Sequence, residues 1–86
     1  MMPEIEATDR QRELVRILTS GGRVSLNRAW RNSGYTNHHP SLGQMLNSPA
    51  VVALFREAIE AGRVLPYDHA DRIMAAIARA DLAALA

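Results

Sequence analysis

Apolar residues recur along this chain every three to four positions, in runs cut short by helix caps and helix stops, and that punctuation restricts it to a set of short amphipathic helices. Thr8 followed by Gln11 is a capping-box pattern, Leu14, Ile17 and Leu18 share one helical face, and Gly21-Gly22 closes a first helix over residues 9–20. Ser25 is a good N-cap for a short second helix, whose stripe of Leu26, Ala29 and Trp30 stops before Gly34. The spacing predicts a third helix capped by Asn37, with Pro40 in its first turn and Leu42, Met45 and Leu46 on its buried face. Ser48-Pro49 opens a fourth, amphipathic through Val51, Leu54, Phe55, Ala58 and Ile59 as far as Gly62. A fifth follows Pro66-Tyr67-Asp68 and carries Ile73, Ile77, Leu82 and Leu85. No stretch alternates with period two for long enough to make a strand. The expected class is therefore all-α: a small helical bundle of about five helices.

At 86 residues the chain is at most one small domain, and a core of that size leaves room for stabilisation by self-association. With 48% hydrophobic and 22% charged residues it has the composition of a folded chain. Cysteine is absent, which excludes disulfides and thiolate metal sites and fits a reducing compartment. The opening MMPEIEATDR has no apolar signal region, and no run approaches the roughly 20 apolar residues of a membrane span, so a cytoplasmic, membrane-free protein is expected.

The net charge of +1 conceals an asymmetry. Residues 1–9 hold Glu4, Glu6 and Asp9, whereas residues 10–48 hold six arginines against Glu13 alone. All basic residues are Arg. Such a stretch is an electrostatic footprint for phosphate contact, and a solvated helix face has the same composition.

A short helix, a turn at Asn32-Ser33-Gly34-Tyr35-Thr36 and a second short helix form a helix-turn-helix pattern, in which Gly34 takes the left-handed conformation and Trp30 and Tyr35 pack the core and hinge. Arg23, Arg28 and Arg31 flank the second helix and suit phosphate contacts. Asn37, His38, His39, Ser41 and Gln44 fall at the start and outer face of the third, where Asn and Gln can pair with adenine edges and Ser with either kind of base. Capping and solvation are the competing explanation for Asn37 and Ser41. Adjacent histidines without a third ligand lack zinc-site spacing, so no metal is expected, and no other cofactor. Glu57 and Glu60, one turn apart, read as hydrated carboxylates rather than a catalytic pair. There is no glycine-rich phosphate loop, and the chain has no Lys, which excludes an ATPase, and nothing in the sequence contradicts a non-catalytic role.

From about Ala7 to Gly62 the wording resembles the DNA-binding domain of phage terminase small subunits. The matching elements are a Thr-x-x-Gln opening, Asn27 and Ala29, Ser33-Gly34-Tyr35-Thr36, then Met45-Leu46-Asn47-Ser48-Pro49 and Val51. Trp30 stands where that family has a small alanine, the interval from Gly34 to Pro49 is a couple of residues shorter, and no basic residue lies between Arg31 and Arg56. The resemblance implies a helix-turn-helix DNA-binding domain over residues 8–62, preceded by a flexible N-terminus over 1–7. It adds Asn27 to the DNA-facing set. It also implies a role in viral genome packaging in the host cytoplasm, with double-stranded DNA, a large ATPase/nuclease subunit and further copies in a ring as partners. Residues 63–86 are the candidate oligomerisation segment, through Ile73, Ile77 and Leu82, with packing of that helix on the first and fourth helices of its own chain as the alternative. The same local motif also fits a helix-turn-helix regulator of a mobile element, acting as a two-fold dimer. A helical protein-interaction module without DNA affinity is the third possibility.

Overall fold

The computed structural model describes residues 7–21 and 23–85. The flexible N-terminus expected over residues 1–7 lies outside the described residues, Ala7 excepted. Helix α1 (Asp9–Leu18) opens on a reciprocal cap: the Thr8 hydroxyl accepts from the Gln11 N–H at 3.1 Å, and the Thr8 N–H donates to Gln11 Oε1 at 2.9 Å. α2 (Leu26–Asn32) starts at Ser25, α3 (Leu42–Met45) at Ser41, and α4 (Pro49–Glu60) at Ser48 with Pro in its first turn. α5 (Ala70–Leu85) completes the order. The all-α expectation holds, and among the described residues extended pairing is limited to one isolated parallel bridge between Ser20 and Val64.

α4 is the axis of the bundle because it is apolar on more than one side. Val51, Val52, Phe55 and Ala58 are all buried, and the helix packs against both α1 and α5 while α2 leans on α1. Phe55, Leu14, Leu18 and Ile73 are the largest fully buried side chains and meet in one cluster. Each contributes about 1.5–3 kcal/mol of burial.

α1 ends at Leu18, short of the expected Ser20. Thr19 turns its hydroxyl back to the Val15 carbonyl at 2.7 Å, and Gly21, at φ 95°, leads the chain away. The end is closed by a distant residue. Arg63 Nε donates to Thr19 Oγ1 and Arg63 Nη2 to the Arg16 carbonyl, both at 2.9 Å, so a cation occupies the electronegative end of α1. What aims Arg63 there is the end of α4. Gly62 at φ 79° donates to the Ile59 carbonyl and the Arg63 N–H to the Ala58 carbonyl, each at 2.9 Å, the paired bonds of a Schellman turn.

Two sequence expectations are corrected. α3 is capped by Ser41, not Asn37, and runs for four residues, because Ser41 and Gln44 satisfy each other's backbone donors at 3.2 and 3.1 Å. Pro40 also disfavours helical geometry at His39, so it precedes the helix instead of sitting in its first turn. The C-terminal helix does not direct Ile73 toward a partner. Ile73 is 0% exposed in the chain's own core and Ile77 packs at its edge, because this face of α5 covers α4. Only Leu82 of that trio is exposed, together with Met74 and Leu85. The Arg56–Asp81 ion pair also joins α4 to α5.

Arg63→Ala should lower unfolding free energy by about 1–3 kcal/mol, the worth of two hydrogen bonds from a charged group whose exposure to solvent weakens them. Arg63→Lys should recover only part of that, since an ammonium lacks the fork that spans two acceptors. Denaturant midpoints equal to that of the parent chain in both variants would remove the cap from the stability argument.

Candidate nucleic-acid interface

α2 has one buried side and one open side. Ala29 and Trp30 point inward, and opposite them, three and four positions apart, stand Asn27, Arg28 and Arg31, all exposed. The helix closes with a second Schellman turn. Gly34, at φ 104°, donates to the Arg31 carbonyl at 3.1 Å, and the Tyr35 N–H reaches the Trp30 carbonyl at 3.4 Å. The hydrophobic contact that accompanies such turns is aromatic here. The Trp30 and Tyr35 rings stack with centroids 3.7 Å apart and planes 9° from parallel.

Trp30 binds the following loop at two further points. The Ser33 hydroxyl donates to its carbonyl at 2.8 Å, and its indole N–H donates to the Asn37 carbonyl at 2.9 Å. Residues 33–37 are thereby tied to the end of α2, with the side chains of Thr36, Asn37 and His38 exposed. The His38 and His39 rings stack at 5.1 Å, and His39 Nδ1 lies 2.9 Å from the Pro40 carbonyl. Among the described residues no three His, Cys, Asp or Glu side chains come together to hold a metal.

The residues expected at the site thus fall into three groups. Asn27, Arg28 and Arg31 share the open face of α2, next to the turn. Asn37, His38 and His39 lie in the loop before α3, not on a helix, and residues 33–41 separate α2 from α3 where a tight turn was expected. Ser41 and Gln44 form the α3 cap, so the Gln44 carboxamide oxygen is already engaged by the Ser41 N–H. Arg23 stands apart, on the wall of a groove shared with Arg63, Tyr67 and Asp71.

One residue of this end of the molecule was missed in the sequence. Arg10 of α1 lies over the Tyr35 ring, its guanidinium carbon 5.7 Å from the ring centroid, and its stem passes Gly34. The only signal was the Gly34-Tyr35 pair itself, which puts a ring at a turn without saying what covers it. Salt bridges among the described residues engage Arg16 with Glu13 and Arg56 with Asp81, and none involves Arg10, Arg28 or Arg31. The Arg16 hydrogen bond holds the Glu13 carboxyl below the usual carboxylate range and raises Arg16 in turn.

No protein-family model, curated protein or solved structure matches the chain. No helix among the described residues is long and apolar enough to cross a membrane.

Gly34→Ala should cost about 1–2 kcal/mol, since a side chain at this φ is strained even though its Cβ would make only ordinary contact with the Arg10 stem. Thermal denaturation checks this. An unchanged midpoint would mean that the turn can relax out of the left-handed region.

Proposed function

We propose that the chain is the DNA-binding part of a phage-type terminase small subunit, which holds viral DNA for a large ATPase/nuclease subunit and is not itself an enzyme. The observation that carries the reading is the open face of α2. Arg28 and Arg31, without acidic partners among the described residues, stand beside a turn built from the same Ser33-Gly34-Tyr35-Thr36 that carries the family resemblance. Under this reading the two guanidiniums take phosphates, and Asn27 and the loop side chains of Asn37 and His38 lie nearest the grooves. The helix-turn-helix is then an unusual one, with α2 and the loop in place of a long second helix.

A ring of copies belongs to the same proposal. Met74, Leu82 and Leu85 leave an exposed apolar stripe on α5. A second reading draws on the same stripe and on the shortness of α3: a helical protein-interaction module that does not bind DNA.

Duplex binding measured across salt concentrations separates the two. For the terminase reading, Arg28→Ala and Arg31→Ala should each weaken all duplexes alike and lower the slope of log affinity against log salt by about one. A parent chain whose duplex affinity ignores salt would instead support the interaction module. Sedimentation gives the second check. Substituting Met74, Leu82 and Leu85 together by Gln should reduce any oligomer to a monomer with unchanged helicity, and an unaltered mass would exclude this stripe as the subunit contact.

A further inference from the structure

We propose that Arg10 is a third phosphate contact of this face, seated on Tyr35 so that its charge is held beside Arg31 before any DNA arrives. The inference rests on the DNA-binding reading and extends it to a residue on a different helix. The chain of contacts is continuous. Trp30 is fixed by its carbonyl and its indole N–H, Tyr35 stacks on Trp30 at 3.7 Å, and the Arg10 guanidinium covers Tyr35 at 5.7 Å. Gly34, whose N–H binds the Arg31 carbonyl, lies beside the Arg10 stem, so Arg10 stands at the end of α2 that carries Arg31.

The chemistry follows from the shape of a guanidinium. Held over a ring by a cation–π contact, it spends none of its N–H donors on that contact, and they match two oxygens of a phosphodiester. No salt bridge among the described residues takes up that charge, and Arg10 is exposed. A long side chain already confined by a ring loses less rotamer freedom on binding than a free one. The alternative is purely structural, with Arg10 as a lid on the aromatic pair, and it predicts a stability change without a binding change.

The test is duplex affinity over a salt series for the parent chain, Arg10→Ala, Arg10→Lys, Tyr35→Leu and the Arg10→Ala/Tyr35→Leu double variant, each checked for helicity. Arg10→Ala should lose several-fold in affinity on every duplex, with a salt slope smaller by about one. Arg10→Lys should keep the slope and lose part of the affinity, since it keeps the charge without the planar fork. Tyr35→Leu should weaken binding less than Arg10→Ala, and the double variant should be no weaker than Arg10→Ala alone, because the ring acts through the arginine. Should Tyr35→Leu fail to fold, the two Arg10 variants decide. Equal affinity in phosphate and chloride buffers of matched ionic strength identifies the DNA backbone as the ligand, whereas competition by phosphate points to a free-anion site and overturns the proposal. An Arg10→Ala slope equal to the parent's, with Arg28→Ala lowering it, overturns this inference alone. A parent chain without salt-dependent binding overturns it together with the DNA reading.

Discussion

Trp30 is the contact on which the α2 end of the molecule depends, because it binds the loop after α2 through its ring, its carbonyl and its indole N–H at once. The chain has one Trp, one Phe and two Tyr, and with Tyr67 exposed few large rings are left to serve as joints. Phe55 takes the centre of the core and Trp30 takes the hinge. The Trp30 ring fills the space beneath Tyr35 and supplies a donor for the Asn37 carbonyl, which would otherwise depend on solvent. An irregular loop over residues 36–40 is tolerable because its backbone is anchored at that point.

Two left-handed glycines, Gly34 and Gly62, use the same device for different purposes. After Gly34 the next residue is Tyr35, which folds back on Trp30 and supports Arg10 near the start of α1. After Gly62 it is Arg63, which donates to the Arg16 carbonyl and the Thr19 hydroxyl at the end of α1. α1 is thus fixed at both ends by side chains launched from Schellman turns, while Leu14, Val15 and Leu18 fill the space between with apolar packing. This explains how a small core can hold α1 in place. Hydrophobic burial fixes which face points inward, and the two directional contacts fix how far the helix can slide or rotate.

What was legible in the sequence was whatever local chemistry decides. Thr8 with Gln11, Ser25, Gly34, Pro49 and Gly62 act within one turn of their own positions, and each helix they delimit is present. The α3 boundary was misread because Asn37 and Ser41 compete for the same role. Ser41 wins through Gln44, while the Asn37 carbonyl is taken by a ring seven residues earlier. Arg63 and Arg10 were not legible as joints, since their partners lie on other helices and an arginine at the surface reads as solvated in any sequence. For the same reason the oligomerisation set drawn from α5 mixed two faces. Ile73 and Leu82 both belong to an apolar pattern at helical spacing, but only the position of α4 decides which of them is covered.

The arginines separate by location, and that separation bears on how DNA could be read. In the C-terminal half Arg56 is matched by Asp81, and Arg63 by the Arg16 carbonyl and the Thr19 hydroxyl, so these two charges are absorbed by the fold. On α2 it is not, and six of the ten arginines lie in residues 10–48 against a single Glu. α3 spans only about 6 Å at helical rise, and with Leu42 and Met45 buried it turns little more than Gly43 and Gln44 outward. A helix that short cannot lie along a major groove. Base edges would therefore be met by Thr36, Asn37 and His38 on a loop whose backbone is already held by Trp30, and phosphates by the α2 face beside it. Such a division gives orientation from charge and places the few polar side chains without the ordering cost that a free loop would carry on binding.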